Sequence, residues 1–239
     1  MRSPFTKKTL SFLRALKRNN DRDWFRERKP QYEEYVREPM VLLLAQLASD
    51  FRSFAPDLVA EPRVSLFRIY RDTRFSNDKT PLKTHIGAHF PSRRFAKGAG
   101  AGLYVEIAPN WVWAGGGSYM PSAAELRVIR SSIATQHRRL HRIVTAPAFA
   151  KTVGTLDGSR LARVPRGYAN DHPAAEYLKH KQFIAGREYP AEFALSPRFC
   201  GELLTVFRAV APLVAFLNRA MLTAPQAASP LVTDFRVFE

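Results

Sequence analysis

With 239 residues, 46% of them hydrophobic and 12% aromatic, the chain is long enough to bury a sizeable core and too apolar to remain disordered. Its 37 Lys and Arg against 21 Asp and Glu give a formal charge of +16, a field that draws polyanions, phosphorylated metabolites and anionic surfaces without choosing among them. The lone Cys200 excludes an internal disulfide and suits a reducing, cytoplasmic setting, and no membrane span is expected because no apolar run approaches the roughly 20 residues that one requires.

The basic, acid-free stretch Met1–Asn20 has the amphipathic spacing of a transit peptide. It continues without a break into Asp21–Tyr35, so it reads as a first helix packed on the core, capped by Thr6 and reaching about Arg18. Asn19-Asn20-Asp21 supplies a stop and a new start. Pro30 and Pro39 are each predicted at the first turn of a further helix, and Leu43, Leu44, Leu47, Phe51 and Phe54 mark the buried stripe of the helix from Met40.

Val64–Tyr70, β-branched and aromatic between breakers, is predicted as a strand with one guanidinium on each face. Leu103–Ile107 and Trp111–Ala114 read as a hairpin turning at Pro109-Asn110, followed by a tight turn at Gly115-Gly116-Gly117. Ser122 and Glu125 have capping-box spacing ahead of a helix through Ile143. Pro147 starts a short helix, 161–171 is loop, and His172-Pro173 opens a helix ending near Lys179. A strand follows at 182–185. The last helix starts at Ser196-Pro197, with a bend expected at Pro212. The reading is a single compact α+β domain over residues 1–222, a small mixed or antiparallel sheet packed by several helices, with a loosely anchored tail at 223–239.

The segment Leu66–Thr84, LFRIYRDTRFSNDKTPLKT, holds the densest set of directional polar groups. Arg68, Arg71, Arg74, Lys79 and Lys83, with the hydroxyls of Ser76 and Thr80, form a candidate cradle for phosphate, sulfate or carboxylate. Asp72 and Asp78 are candidate catalytic carboxylates, orienting the cations, binding a hard metal ion together with substrate phosphates, or acting as a general base. The competing reading closes the loop on itself through Arg–Asp pairs. His172, beside Asp171 and Lys181, is a candidate acid or base, against the plainer reading of a surface turn in which Asp171 caps a helix.

Four segments, Asn19–Pro39, Phe67–Thr84, Gly115–Arg130 and Val164–Phe183, resemble the uncharacterised family catalogued as domain of unknown function 2461. The pattern RDTRFSNDKTPLKT carries most of that resemblance, with Leu82 standing where an aromatic residue is expected in similar proteins. The resemblance implies a compact α+β domain and no mechanism.

Several chemistries find no support in the residues. The histidine pairs His85/His89 and His137/His141 lack a third ligand at motif spacing, so no metal site is expected. Gly98, Gly100 and Gly102 precede a strand, the wrong order for a dinucleotide fingerprint, and no cofactor is identified. The functional expectation is binding of a small anionic or phosphorylated ligand, with hydrolase or transferase action on it left open. One alternative is a nucleic-acid-binding protein using Arg127, Arg130, Arg138, Arg139 and Arg142 of one helix. The other is a non-catalytic interaction module.

Overall fold

A computed structural model describes residues 2–74, 76–96 and 98–223. Helix α1 (Lys7–Arg18) starts after Thr6, whose extended backbone N–H donates to the Thr9 hydroxyl at 3.2 Å, and it buries Leu10, Phe12, Leu13 and Leu16. Helix α2 (Arg22–Tyr32) is capped by Asp21, whose carboxylate accepts from the N–H groups of Asp23 and Trp24 at 2.8 and 3.0 Å.

Pro39 stands in the first turn of a helix as expected, whereas Pro30 lies inside α2 and starts none. The chain runs from α2 through one π-helical turn, Glu33–Arg37, directly into α3 (Glu38–Phe54). A proline leaves the carbonyl four residues earlier without its helical donor. For Pro39 that carbonyl is Tyr35, and the fully buried Thr9 hydroxyl donates to it at 2.6 Å. A side chain from α1 thus satisfies an acceptor on the neighbouring helix, and the wider π turn gives the proline ring room.

The strand expected at Val64–Tyr70 is also absent. Pro62–Ser65 forms the short helix α4, closed by the Ser65 hydroxyl donating to the Val59 carbonyl at 2.7 Å. Only Leu66 and Phe67 then pair with the sheet, through a bridge to Ala88 and an N–H bond to the Gly87 carbonyl at 3.1 Å.

The sheet is antiparallel throughout, with strands β1 (Ile86–Phe90), β2 (Gly102–Ile107), β3 (Trp111–Ser118) and β4 (Phe183–Pro190) in that spatial order. The turn at Pro109-Asn110 joins β2 to β3 as predicted. Gly115-Gly116-Gly117, however, lies inside β3 and pairs with β2 and β4 instead of turning. The remaining helices are α5 (Ala123–Val144), α6 (Pro147–Val153), α7 (Ala175–Leu178) and α8 (Phe199–Thr223), with a 3-10 turn at Ala191–Leu195. Ser122 and Glu125 form the predicted capping box on α5. Helix α8 continues through Pro212 to Thr223, so the expected tail boundary falls on its last residue; 224–239 lie outside the described residues.

Alternation along the strands makes two unlike faces. Ile86, Ala88, Phe90, Leu103, Val105, Ile107, Val112 and Ala114 are buried on the face that meets the helices. Helix α8 has, by length and composition alone, the mean hydropathy of a membrane-crossing segment, 1.7, with 56% of that window buried in the core. Its apolar side chains fill this core, with Leu203, Phe207, Val210, Leu213 and Leu217 buried. The opposite face carries Gly87, Tyr104, Glu106, Trp113 and Gly115, and its side chains are half-buried. This is the face on which the 66–84 segment ends.

Candidate functional site

Residues 69–83 form two short arms joined by a loop. The Arg71 N–H donates to the Pro81 carbonyl at 2.9 Å, the Lys83 N–H to the Ile69 carbonyl at 2.8 Å, and Tyr70 bridges Leu82. Asn20 anchors the second arm as a strand would, its amide nitrogen donating to the Leu82 carbonyl at 2.8 Å and its oxygen accepting from the Leu82 N–H at 3.0 Å. Leu82 itself is buried, so this position offers no stacking surface.

Within the loop most cations are engaged. Arg71 donates to Asp78 and to the Thr80 hydroxyl, Arg74 donates to Asp72 at 3.0 and 2.7 Å, and the Lys79 ammonium donates to the Thr73 carbonyl at 3.0 Å. Hydrogen bonds from Arg74 hold the Asp72 carboxyl down at about 2, and those from Arg71 and Thr80 do the same for Asp78. Carboxylates so acidic are weak bases near neutral pH. Ser76 is half-buried beside them, its side chain without a hydrogen-bond partner among the described residues.

Two of the expected cations stand apart. Arg68 is exposed and makes no hydrogen bond or ion pair among the described residues. Lys83 lies with its ammonium 4.8 Å above the ring of Phe67, and burial together with nearby Arg68 pushes its pKa down. Neither is matched by a carboxylate at ion-pair distance among the described residues. Phe67, 43% exposed, leans on Tyr104 at 6.0 Å between ring centres, and Tyr104 leans on Trp113 at 6.0 Å.

Beside these cations the sheet face holds a proton-bearing set that sequence reasoning missed. The Tyr104 hydroxyl donates to Glu106 Oε2 at 2.6 Å, and Glu106 Oε1 lies 3.2 Å from Nδ1 of His85. Burial raises the Glu106 carboxyl and the Tyr104 phenol, while burial and the charges of Lys83 and Arg71 press His85 down to about 4. His85 is therefore neutral at pH 7, and its contact with Glu106 is not an ion pair there.

His172 sits elsewhere. Its Nδ1 accepts from the Ala174 N–H at 2.9 Å, and its ring meets His137 of α5 at 6.0 Å. No contact joins it to residues 66–84 among the described residues. On α5, Arg130 is taken up by the carbonyls of Leu178 and His180 at 2.9 and 3.0 Å, a structural role. Arg139 and Arg142 line, with Arg208 and Phe149, a shallow groove of about 410 Å³ among the helices, away from the open sheet face. No group of three or more His, Cys, Asp or Glu is placed to hold a metal among the described residues.

A family model described as "Conserved hypothetical protein (DUF2461)" matches residues 8–216. No curated protein and no solved structure matches the chain.

Proposed function

Since the chain belongs to this family of conserved hypothetical proteins, whose description names no activity, we propose from its own residues that it binds a small anionic ligand at the open face of the sheet, with Arg68 and Lys83 supplying the positive charge. One observation carries this reading: these two cations flank a half-buried polar face and lack the carboxylates that engage Arg71 and Arg74 a few residues away. A guanidinium and an ammonium so placed favour a phosphate or carboxylate, by charge-assisted hydrogen bonds worth about 1.5–3 kcal/mol each. Arg71, Arg74, Lys79, Asp72 and Asp78 then shape the loop that presents Arg68 and Lys83. Hydrolytic or transfer chemistry on such a ligand would draw on His85 and Glu106, the titratable groups nearest Lys83, before His172.

Pyrophosphate tests the reading. It raises the melting temperature of the native protein by mass action, R68A and K83A each weaken its binding about tenfold or more, and K151A, which removes an exposed cation of α6, leaves the affinity within about threefold. Equal affinities across all four proteins would remove Arg68 and Lys83 from the site. The nucleic-acid reading has less behind it, because the arginines of α5 lie with the helices behind the sheet and Arg130 is already engaged. Affinity for oligonucleotides that survives physiological salt would favour it.

A further inference from the structure

We infer that the ligand is a nucleotide, its base stacked on Trp113, whose ring is tilted 46° to that of Tyr104, and its phosphate directed at Lys83 and Arg68. The inference rests on the anion-binding reading above and adds the chemistry of the rest of the ligand. Gly115 and Gly186 are paired across β3 and β4, and the indole of Trp113 lies down over both of them. A Cβ on Gly186 would stand 2.3 Å from Trp113 Cζ2, and one on Gly115 2.6 Å from Cη2. Tyr104 lies in the same way over Gly87, where a Cβ would stand 2.7 Å from the phenol oxygen. A ring packed this closely over glycine backbone has one side against the sheet, so the surface it keeps open is on its other side.

Rings over glycines also shield sheet backbone, and stability alone accounts for that much. The charge beside them does not follow from stability. Lys83, Phe67, Tyr104 and Trp113 follow one another at separations of 4.8, 6.0 and 6.0 Å, the rings tilted 53° and 46° in turn, so an ammonium with no carboxylate at ion-pair distance among the described residues stands at one end of a run of aromatic rings, with Arg68 near it. Inorganic phosphate would use only the cations, and a neutral aromatic only the rings; a base carrying a phosphate uses both. A single nucleotide suits the row better than a strand, because a strand needs cations tracking its backbone, and among the described residues Arg68 and Lys83 are the cations beside this row without a carboxylate at ion-pair distance.

Quenching of tryptophan fluorescence by AMP, compared with competition by ribose 5-phosphate and by pyrophosphate, tests the inference. AMP should bind about tenfold or more tighter than ribose 5-phosphate. Trp113→Leu should bring AMP down to the affinity of ribose 5-phosphate while leaving ribose 5-phosphate and pyrophosphate unchanged, and Trp113→Phe should restore part of the difference. Equal binding of AMP and ribose 5-phosphate by the native protein overturns the inference whatever the variants do. If pyrophosphate then still binds in an Arg68-dependent way, the anion reading stands without it; if pyrophosphate does not bind either, both fall. An octathymidylate strand that binds more tightly than AMP through Trp113 at physiological salt would also overturn it, in favour of a single-stranded nucleic acid.

Discussion

Thr9 shows how one hydroxyl can decide a helix junction. Pro39 deprives the Tyr35 carbonyl of its helical N–H, and the buried Thr9 hydroxyl replaces that donor at 2.6 Å. Thr9→Val keeps the shape and removes the donor, leaving the carbonyl of half-buried Tyr35 without this partner; a loss of about 1–3 kcal/mol in chemical unfolding is expected. In P39A the restored N–H competes for the same carbonyl, so adding T9V there should cost less than in the native protein. His85 supplies the residue-scale pH prediction. Its folded pKa of about 4 lies below its ordinary 6.5, so between those values the unfolded chain binds a proton that the folded one refuses, and stability falls as pH drops through that window. Half-buried His89 and buried His180 are shifted in the same direction by burial. Glu106, raised by burial, has the opposite sign and contributes stability below its ordinary 4.5 that is lost as pH rises through its folded value. Denaturant titrations from pH 7 to pH 4 should show declining stability, less steeply in H85N.

At the scale of elements, the hairpin of β2 and β3, the capped helix α5 and the apolar stripe of α8 were legible because each rests on a local period or a local cap. Val64–Tyr70 was misread for a physical reason. Its β-branched and aromatic residues satisfy strand propensity, yet Pro62 starts a helical turn that ends at Ser65, and past Phe67 the chain leaves β1 to pair with residues 81–83. The glycines of β3 were read as a turn because what makes them necessary is visible only once the sheet is assembled: Trp113 and the β4 backbone over Gly115, the Gly102 carbonyl of β2 against Gly116, and the Phe183 carbonyl of β4 against Gly117 at its positive φ. The candidate loop was legible as a cluster of charge, but which cations its own carboxylates would engage was not, since Arg71 and Arg68 look alike in one dimension. Glu106 had a faint signal in the strand Leu103–Ile107, a carboxylate and a tyrosine on the same alternate face. Asn20 had none, because its partner is the backbone of Leu82, 62 residues away. Asn20→Ala should therefore loosen the second arm. Hydrogen exchange at the Leu82 amide is expected to quicken tenfold or more, as befits a lost bond worth about 1–3 kcal/mol, while amides of α8 keep their protection.

For the whole molecule, the formal charge of +16 explains attraction but not selection. Weak retention on DNA or heparin should therefore vanish as salt rises, whereas an anion held by Arg68 and Lys83 in a partly desolvated place should lose less. The helices take one face of the sheet and leave the other with glycines, rings and a buried carboxyl, and that asymmetry gives the cations an open surface to serve. The most direct measurement is the anomalous signal of tungstate, a tetrahedral oxyanion, soaked into crystals of the native protein and of R68A/K83A. A single strong peak between Arg68 and Lys83 in the native protein, absent from the double variant, is the predicted result. Tungstate seated instead on Arg71 and Arg74, on the arginines of α5, or unchanged in the double variant would contradict it.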